Sequence, residues 1–329
     1  MSIRKMTHPY ASPDKSQAIL HLMITLACYT GAILLGALTW GIWPLTAIAV
    51  VAFMCGTMRM FGIQHDCGHG SYFTARRANN IVGVLAGAIT ANPYYAMQYN
   101  HNQHHAYIGN LDKMENHEVL TWTVRQYEAA SLGGKLFYRA YRSIPSIFFL
   151  GPMFVILIRY RFPKNAFKTG LWDVLGQNVL MAALWIGVFL AAGWAGFAFM
   201  ALAMTVTVCV GVFMVYVGHN HEDTYWASGP QVDFEEASLR GSSVIDLGWF
   251  YDFMTFNFAY HDLHHLNSRI PAYKLKDCHI ALSDHLQPTR LSLGQVIACV
   301  QWKLWDEDQG KMVRFSDIRA TKQALHPAE

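Results

Sequence analysis

The chain has 329 residues, of which 53% are hydrophobic and only 14% charged, against roughly 25% charged in a typical soluble protein. Its mean hydropathy is positive, and a formal net charge of +3 is too small to suggest a nucleic-acid ligand. These values exclude an ordinary soluble domain and point to an integral membrane protein.

In chain order, an apolar segment at 18–38 is followed by a turn around Gly41 and Pro44 and a second segment at 43–62. A similar pair lies at 174–192 and 196–218, separated by Gly193–Gly196. Each is long enough, or nearly so, for the roughly 17–25 residues that cross a bilayer, so four transmembrane helices in two hairpins are expected. Trp40, Trp43 and Trp194 lie at the turns, where indoles favour the interface. The first run exceeds the apolar core of a cleaved signal peptide, and cleavage is not expected.

Two weaker apolar stretches, Ile81–Met97 with Asn92-Pro93 and Ile144–Ile158 with Gly151-Pro152, are read as re-entrant or interfacial. A crossing by the first would put His65 and His69 on the opposite face from His101, His104 and His105. A crossing by the second would separate a third cluster, His261, His264 and His265, from both. Charge agrees with this parity: the hairpin turns carry no Lys or Arg, and apart from Arg59 the basic residues lie in the N-terminal tail, the 64–173 loop or the region after Gly218. The positive-inside rule makes those regions cytoplasmic.

No Gly/Ser or Pro linker and no repeat of 20–50 residues divides the chain. The expectation is one all-α membrane domain over 1–329, with a cytoplasmic histidine-rich cap built mainly from 64–173 and 219–305 and a polar, peripheral stretch at Asp306–Glu329. Cys28, Cys55, Cys67, Cys209, Cys278 and Cys299 form no CxxC pair and read mostly as small buried hydrophobes, not as a disulfide or iron–sulfur framework.

The chemistry is carried by histidine. Eight of the 16 histidines fall in His65-x-x-x-His69, His101-x-x-His104-His105 and His261-x-x-His264-His265. Spacings of three and four residues place imidazoles on one helical face while the backbone stays hydrogen-bonded. Imidazole suits iron, zinc, copper or nickel. Eight donors exceed the four of a closed tetrahedral zinc site and suffice for two ions with coordination left open. His219, directly after the fourth segment, is a ninth candidate; His221 points elsewhere on a helix and reads as a packed or surface residue. Asp66, Asp112, Glu222, Asp223 and Asp262 are candidates to orient imidazoles through the other ring nitrogen, with Asp66 and Asp262 ranked first. His8, His21, His117, His279, His285 and His326 lack a compelling pattern.

These motifs resemble the membrane fatty acid desaturase superfamily, in particular bacterial acyl-lipid desaturases of the delta-12/omega-6 type. HDCGHGSYF at 65–73, HNQHH at 101–105 with GNLD at 109–112, GHNHEDTYW at 218–226 and HDLHHLNSRIPAYKL at 261–275 carry the likeness. The resemblance implies a non-haem diiron enzyme that uses dioxygen and external electrons to introduce a cis double bond into a lipid-linked fatty acyl chain. It implies ligation by His65, His69, His101, His104, His105, His219, His261, His264 and His265, without assigning each to an iron. It further implies a separate electron donor, such as ferredoxin or a cytochrome b5-like protein, and a place in a bacterial inner membrane. An apolar acyl tunnel is expected, with Asn92, Pro93, Tyr94 and Tyr95 as candidate wall residues. His221 departs from the apolar residue common in relatives. Alternatives are a diiron membrane hydroxylase, epoxidase or ketolase and, outside enzymes, a histidine-rich metal transporter; the long match around the third cluster favours desaturation.

Overall fold

The structure is a computed structural model and describes residues 2–318. His326 and the end of the polar stretch at Asp306–Glu329 lie outside the described residues. The helices that build the site are α1 (Lys15–Leu38), α2 (Trp43–His69), α3 (Arg76–Thr90), α4 (Tyr94–Ala106), α5 (Leu132–Tyr141), α6 (Leu171–His219), α7 (His261–Leu266) and α8 (Ala272–Ala281).

Helix α1 starts where the Asp14 carboxylate accepts the Gln17 N–H at 2.9 Å, satisfying one of the unpaired donors of the first turn. The chain turns at Gly41, whose φ is +93°, and re-enters a helix with Pro44 in its first turn. Helices α1 and α2 then pack at close range: a Cβ on Gly56 would lie 2.7 Å from the Tyr29 backbone. The second apolar segment does not end near Gly62. With no breaker before Gly70, the helix continues through His69 and ends where Gly70 adopts φ +70°. The Ser71 N–H closes that end on the Asp66 carbonyl at 3.0 Å. The first histidine pair, expected on a helical face just after the second segment, is carried on the same helix as that segment.

Helix α6 covers both of the later apolar segments in 49 residues, with Gly193 non-helical inside it (φ 61°, ψ −157°). The Trp185 and Phe197 rings lie 5.4 Å apart across that break, whereas twelve residues of straight helix span about 18 Å. Among the described residues three helices, α1, α2 and α6, are long and apolar enough to cross a membrane. A fourth candidate is α5 joined to the helical stretch Ser146–Arg159, which meets it at a 61° bend. The Ile81–Met97 stretch is divided at Ala91 (φ 54°) and Pro93 into α3 and α4, neither of which is among those spans.

Short helices connect these elements, and the described residues also include five strands of two or three residues. Trp122–Thr123 pairs in parallel with Leu304–Trp305, Leu304–Asp306 pairs antiparallel with Lys311–Val313, and Val244–Ile245 pairs in parallel with Arg290–Leu291. All six cysteines are free. A core of Ile63, Cys67, Tyr72, Tyr94, Leu263 and Leu275 surrounds the end of α2, so the apolar packing is continuous with the histidine cluster.

Candidate metal centre

Four helices aim imidazoles at one place. The last turns of α2 supply His65 and His69, α4 supplies His101, His104 and His105, the end of α6 supplies His219, and α7 supplies His261, His264 and His265. The ring nitrogens of His65, His69, His101, His105 and His264 fall within 4.8 Å of one another, and those of His104, His219 and His265 form a second such group. His261 joins the second group, its Nε2 lying 3.0 Å from His219 Nε2 and 3.1 Å from His265 Nε2. The groups abut: the His105 and His265 rings stack at 4.2 Å.

This donor set fits cations better than it fits a hydrogen-bonded cluster. Burial holds His101, His104, His105, His261, His264 and His265 well below the usual histidine range, with neighbouring imidazoles adding to the effect. They are therefore neutral near pH 7, each with one N–H and one ring lone pair. Yet His101 Nε2 approaches both His65 Nε2 (2.5 Å) and His105 Nε2 (2.9 Å). His219 Nε2 likewise approaches both His104 (3.1 Å) and His261 (3.0 Å). His219 Nδ1–H donates to the Gly241 carbonyl at 3.0 Å, which leaves the Nε2 lone pair facing inward. Converging neutral nitrogens are the donors that iron and similar ions accept, and their arrangement in two groups is consistent with a diiron-binding site.

Polar contacts behind the rings hold the helices that carry them. Asp66 Oδ2 accepts the Ala272 N–H of α8 at 2.7 Å, and its other oxygen lies 3.7 Å from His65 Nδ1. Asp173, at the start of α6, accepts the N–H groups of Tyr95 and Ala96, both at 3.0 Å, so one carboxylate caps α4. Asp262 is fully buried beside the third cluster, and burial raises its carboxyl to about 7. Its Oδ2 lies 4.0 Å from His279 Nε2, a partner the sequence spacing did not reveal. Gly218 lets α7 close on α6, since a Cβ there would sit 3.3 Å from His261 Cδ2.

Three acidic candidates lie elsewhere. No hydrogen bond or ion pair among the described residues joins Asp112, Glu222 or Asp223 to the nine imidazoles. Asp112 Oδ2 accepts the Gly229 N–H at 2.7 Å, while Ala227 N–H and Leu111 N–H bond the Gly109 and Ala227 carbonyls, both at 2.9 Å. The segment after the second cluster is thus stitched to the segment after His219. Glu222 faces Lys311 at 3.9 Å, and Asp223 is exposed. His221 is buried, its two ring nitrogens have no hydrogen-bond partner among the described residues, and it belongs to neither group. His117 donates through Nε2 to the Asn110 carbonyl at 3.1 Å, its ring 5.7 Å from that of His104.

Of the proposed tunnel residues, Asn92 accepts the Gln64 amide through its carbonyl at 2.8 Å, Pro93 starts α4, and the Tyr94 hydroxyl donates to the Cys67 carbonyl at 2.8 Å. Tyr95 is exposed and lines a surface groove with α3. Sequence reasoning missed Arg142. This fully buried guanidinium bonds Asn220 Oδ1 at 2.5 Å, the Trp302 carbonyl at 2.9 Å and the Leu120 carbonyl at 3.1 Å. An arginine at the end of a helix, with Arg139 one turn before it, gives no sequence signal for such a contact.

The model of one protein family, described as fatty acid desaturase, matches residues 38–296. A "Fatty acid desaturase" of Bacillus subtilis (strain 168) is 32% identical over 332 residues, covering 99% of this chain and 93% of that protein. An "sn-1 oleoyl-lipid 12-desaturase" of Synechocystis sp. is 26% identical over 293 residues, covering 83% and 78%. A protein of the same name from Picosynechococcus sp. is 24% identical over 302 residues, covering 84% and 80%.

Proposed function

The chain belongs to the fatty acid desaturase family and is a membrane oxidoreductase that carries out oxygen-dependent desaturation of a fatty acyl chain at its histidine-rich diiron-type site, and we propose that the acyl chain is lipid-linked and that the product is a cis double bond of the delta-12/omega-6 type. The convergence of nine imidazoles carries the chemical reading. The likeness to two oleoyl-lipid 12-desaturases supports the position and the lipid carrier.

In this reading His65, His69, His101, His105 and His264 hold one iron and His104, His219, His261 and His265 the other. When bound, the pair supplies activation of dioxygen and removal of two hydrogens from adjacent methylenes. Two electrons from a separate donor and two from the acyl chain reduce one dioxygen to two waters, with two protons taken up. The imidazoles keep their lone pairs because burial holds them neutral. Ile63, Tyr94 and Leu263, all buried in one packed cluster with the end of α2, would exclude bulk water from that side of the site. A relative named as a ferredoxin-type omega-3 desaturase supports a small external redox protein as donor.

The chain is read as one domain with four spans in two hairpins and its histidines on the cytoplasmic side of a bacterial inner membrane. The turn at Gly41, the break at Gly193 and the absence of Lys and Arg from both turns support that topology. Expression in a host lacking polyunsaturated lipids, followed by mass spectrometry of total fatty acids, tests the function. A double bond at carbon 12 of oleoyl chains is expected. A hydroxylated product would overturn desaturation, and a double bond elsewhere would overturn the assigned position.

A further inference from the structure

We propose that the groove between α3 and the first turn of α4 binds an anionic membrane glycerophospholipid, with its phosphodiester between Arg76 and Arg77 and an acyl chain along Ile81, Val84 and Leu85. The groove is an open surface depression of about 610 Å³, so an occupant would stay partly exposed along it. Helical spacing gives it direction. Arg76, Asn80 and Val84 form one i, i+4, i+8 row, and Arg77, Ile81 and Leu85 form the row beside it. Both rows run from a guanidinium to an apolar side chain, over about 12 Å at 1.5 Å per residue. That gradient matches a lipid headgroup continuing into a hydrocarbon tail; a free phosphate would use only its first turn.

Charge supplies the second argument. Arg76 and Arg77 are exposed and make no hydrogen bond or ion pair among the described residues, and the first turn of α3 contains no acidic residue. Two adjacent cations at a helix N-terminus oppose the helix dipole. A bound phosphodiester offsets that cost and accepts charge-assisted bonds from both guanidinium groups.

The apolar half of the groove cannot turn inward. Helix α3 is pinned by its small inner residues: a Cβ on Gly83 would meet the Tyr94 ring and one on Gly87 would meet the Gln177 amide, at 2.2 and 2.4 Å. Ile81 and Leu85 are consequently held outward, 51% and 57% exposed. Tyr95 closes the groove on the α4 side and precedes His101 by six residues, about 9 Å along the same helix. A lipid seated there lies next to the helix that carries the second histidine cluster. Its part in turnover rests on the lipid-linked reading above, whereas its binding does not.

The full-length protein, purified in detergent, is titrated with phosphatidylglycerol or phosphatidylcholine of identical acyl chains, and retained lipid is counted by native mass spectrometry. The expected result is a preference for phosphatidylglycerol of about tenfold, lost in Arg76→Gln/Arg77→Gln and kept in Arg76→Lys/Arg77→Lys. Leu85→Gln is expected to weaken retention of both lipids. An unchanged preference in the glutamine variant would overturn the site, as would full displacement of phosphatidylglycerol by inorganic phosphate. Fatty acids made by the wild-type protein in cells are measured in parallel. No desaturated product there would defeat the functional reading and leave the binding result standing.

Discussion

The carboxylate of Asp66, next in sequence to His65, accepts the backbone N–H of Ala272 at 2.7 Å. Ala272 is the first residue of α8, six residues after α7, which carries the third cluster, ends at Leu266. One buried bond therefore joins the helix of the first cluster to the segment that extends the third, and a carboxylate at a helix N-terminus is also favoured by the helix dipole. Asp66→Ala leaves a buried N–H without an acceptor. It is expected to lower stability by about 1–3 kcal/mol, read as a fall in Tm, with loss of bound iron. Asp66→Asn keeps a carbonyl acceptor and is expected to fall between the two. Equal Tm values for wild type and Asp66→Ala would show that the bond does not hold the helices together.

The two nitrogen groups make separable predictions. Alanine at His65, His104 or His264 is expected to abolish product formation, and retained activity in all three would defeat the ligand assignment. By elemental analysis, wild-type protein is expected to hold about two irons per chain, with His65→Ala and His104→Ala each losing about one, from different groups. His221 is the contrast. Both its ring nitrogens are buried and unpartnered, so His221→Leu removes an unsatisfied polar group and is expected to leave iron content intact and activity at least partial.

The histidine site was legible in the sequence because periodicity and placement beside apolar runs are local properties. His65 and His69, or His261 and His264, announce a shared face without any tertiary information. The roles of the acidic residues were less legible. Spacing ranks Asp66, next to His65, ahead of Asp112, seven residues past its cluster, but it does not say what either one bonds: Asp66 points into the core toward Ala272 while Asp112 pins a surface loop to Gly229. Those partners come from the packing of distant segments. The continuation of α2 past Gly62 to His69 was hidden for a different reason. Hydropathy falls at Gln64, but a helix needs only a tolerant backbone and a buried environment, and it persists to the left-handed Gly70. The short strands, formed from residues as far apart as Trp122 and Leu304, left no periodic trace at all.

Acid sensitivity should show two opposing signs in protein stripped of metal by a chelator. Burial lowers His117 to about 4, against 6.5 for a free histidine. The unfolded chain therefore binds the extra proton first, and stability present above pH 6.5 is lost as the pH falls toward 4. Asp262 behaves oppositely: its carboxyl is raised to about 7, so the stability it contributes is present below its ordinary value near 4 and is lost as the pH rises through 7. In Tm measured between pH 4.5 and 7.5, His117→Gln should flatten the acid-side loss. Asp262→Asn removes the opposing contribution and should steepen that loss. The same slope in both variants would contradict these protonation states.

Arg142 is the remaining determinant of the site's frame. Its guanidinium is buried with no carboxylate partner among the described residues, held instead by Asn220 Oδ1, the Tyr216 hydroxyl and the carbonyls of Leu120 and Trp302. Asn220 follows His219, and its own amide donates to Tyr216 and to the Cys299 carbonyl. The network therefore fixes the end of α6, from which His219 reaches the metal group, against the C-terminal strands. Arg142→Met removes the charge together with its desolvation cost but orphans several acceptors. Asn220→Ala leaves the charge buried with one partner missing, a change that typically costs about 3–5 kcal/mol when a buried charge loses a paired ion and less for a neutral partner. Asn220→Ala is accordingly expected to lower Tm and to release iron preferentially from the group containing His219, visible as roughly half occupancy by elemental analysis. A Tm drop with full iron retention would mean that the network supports the fold without positioning His219.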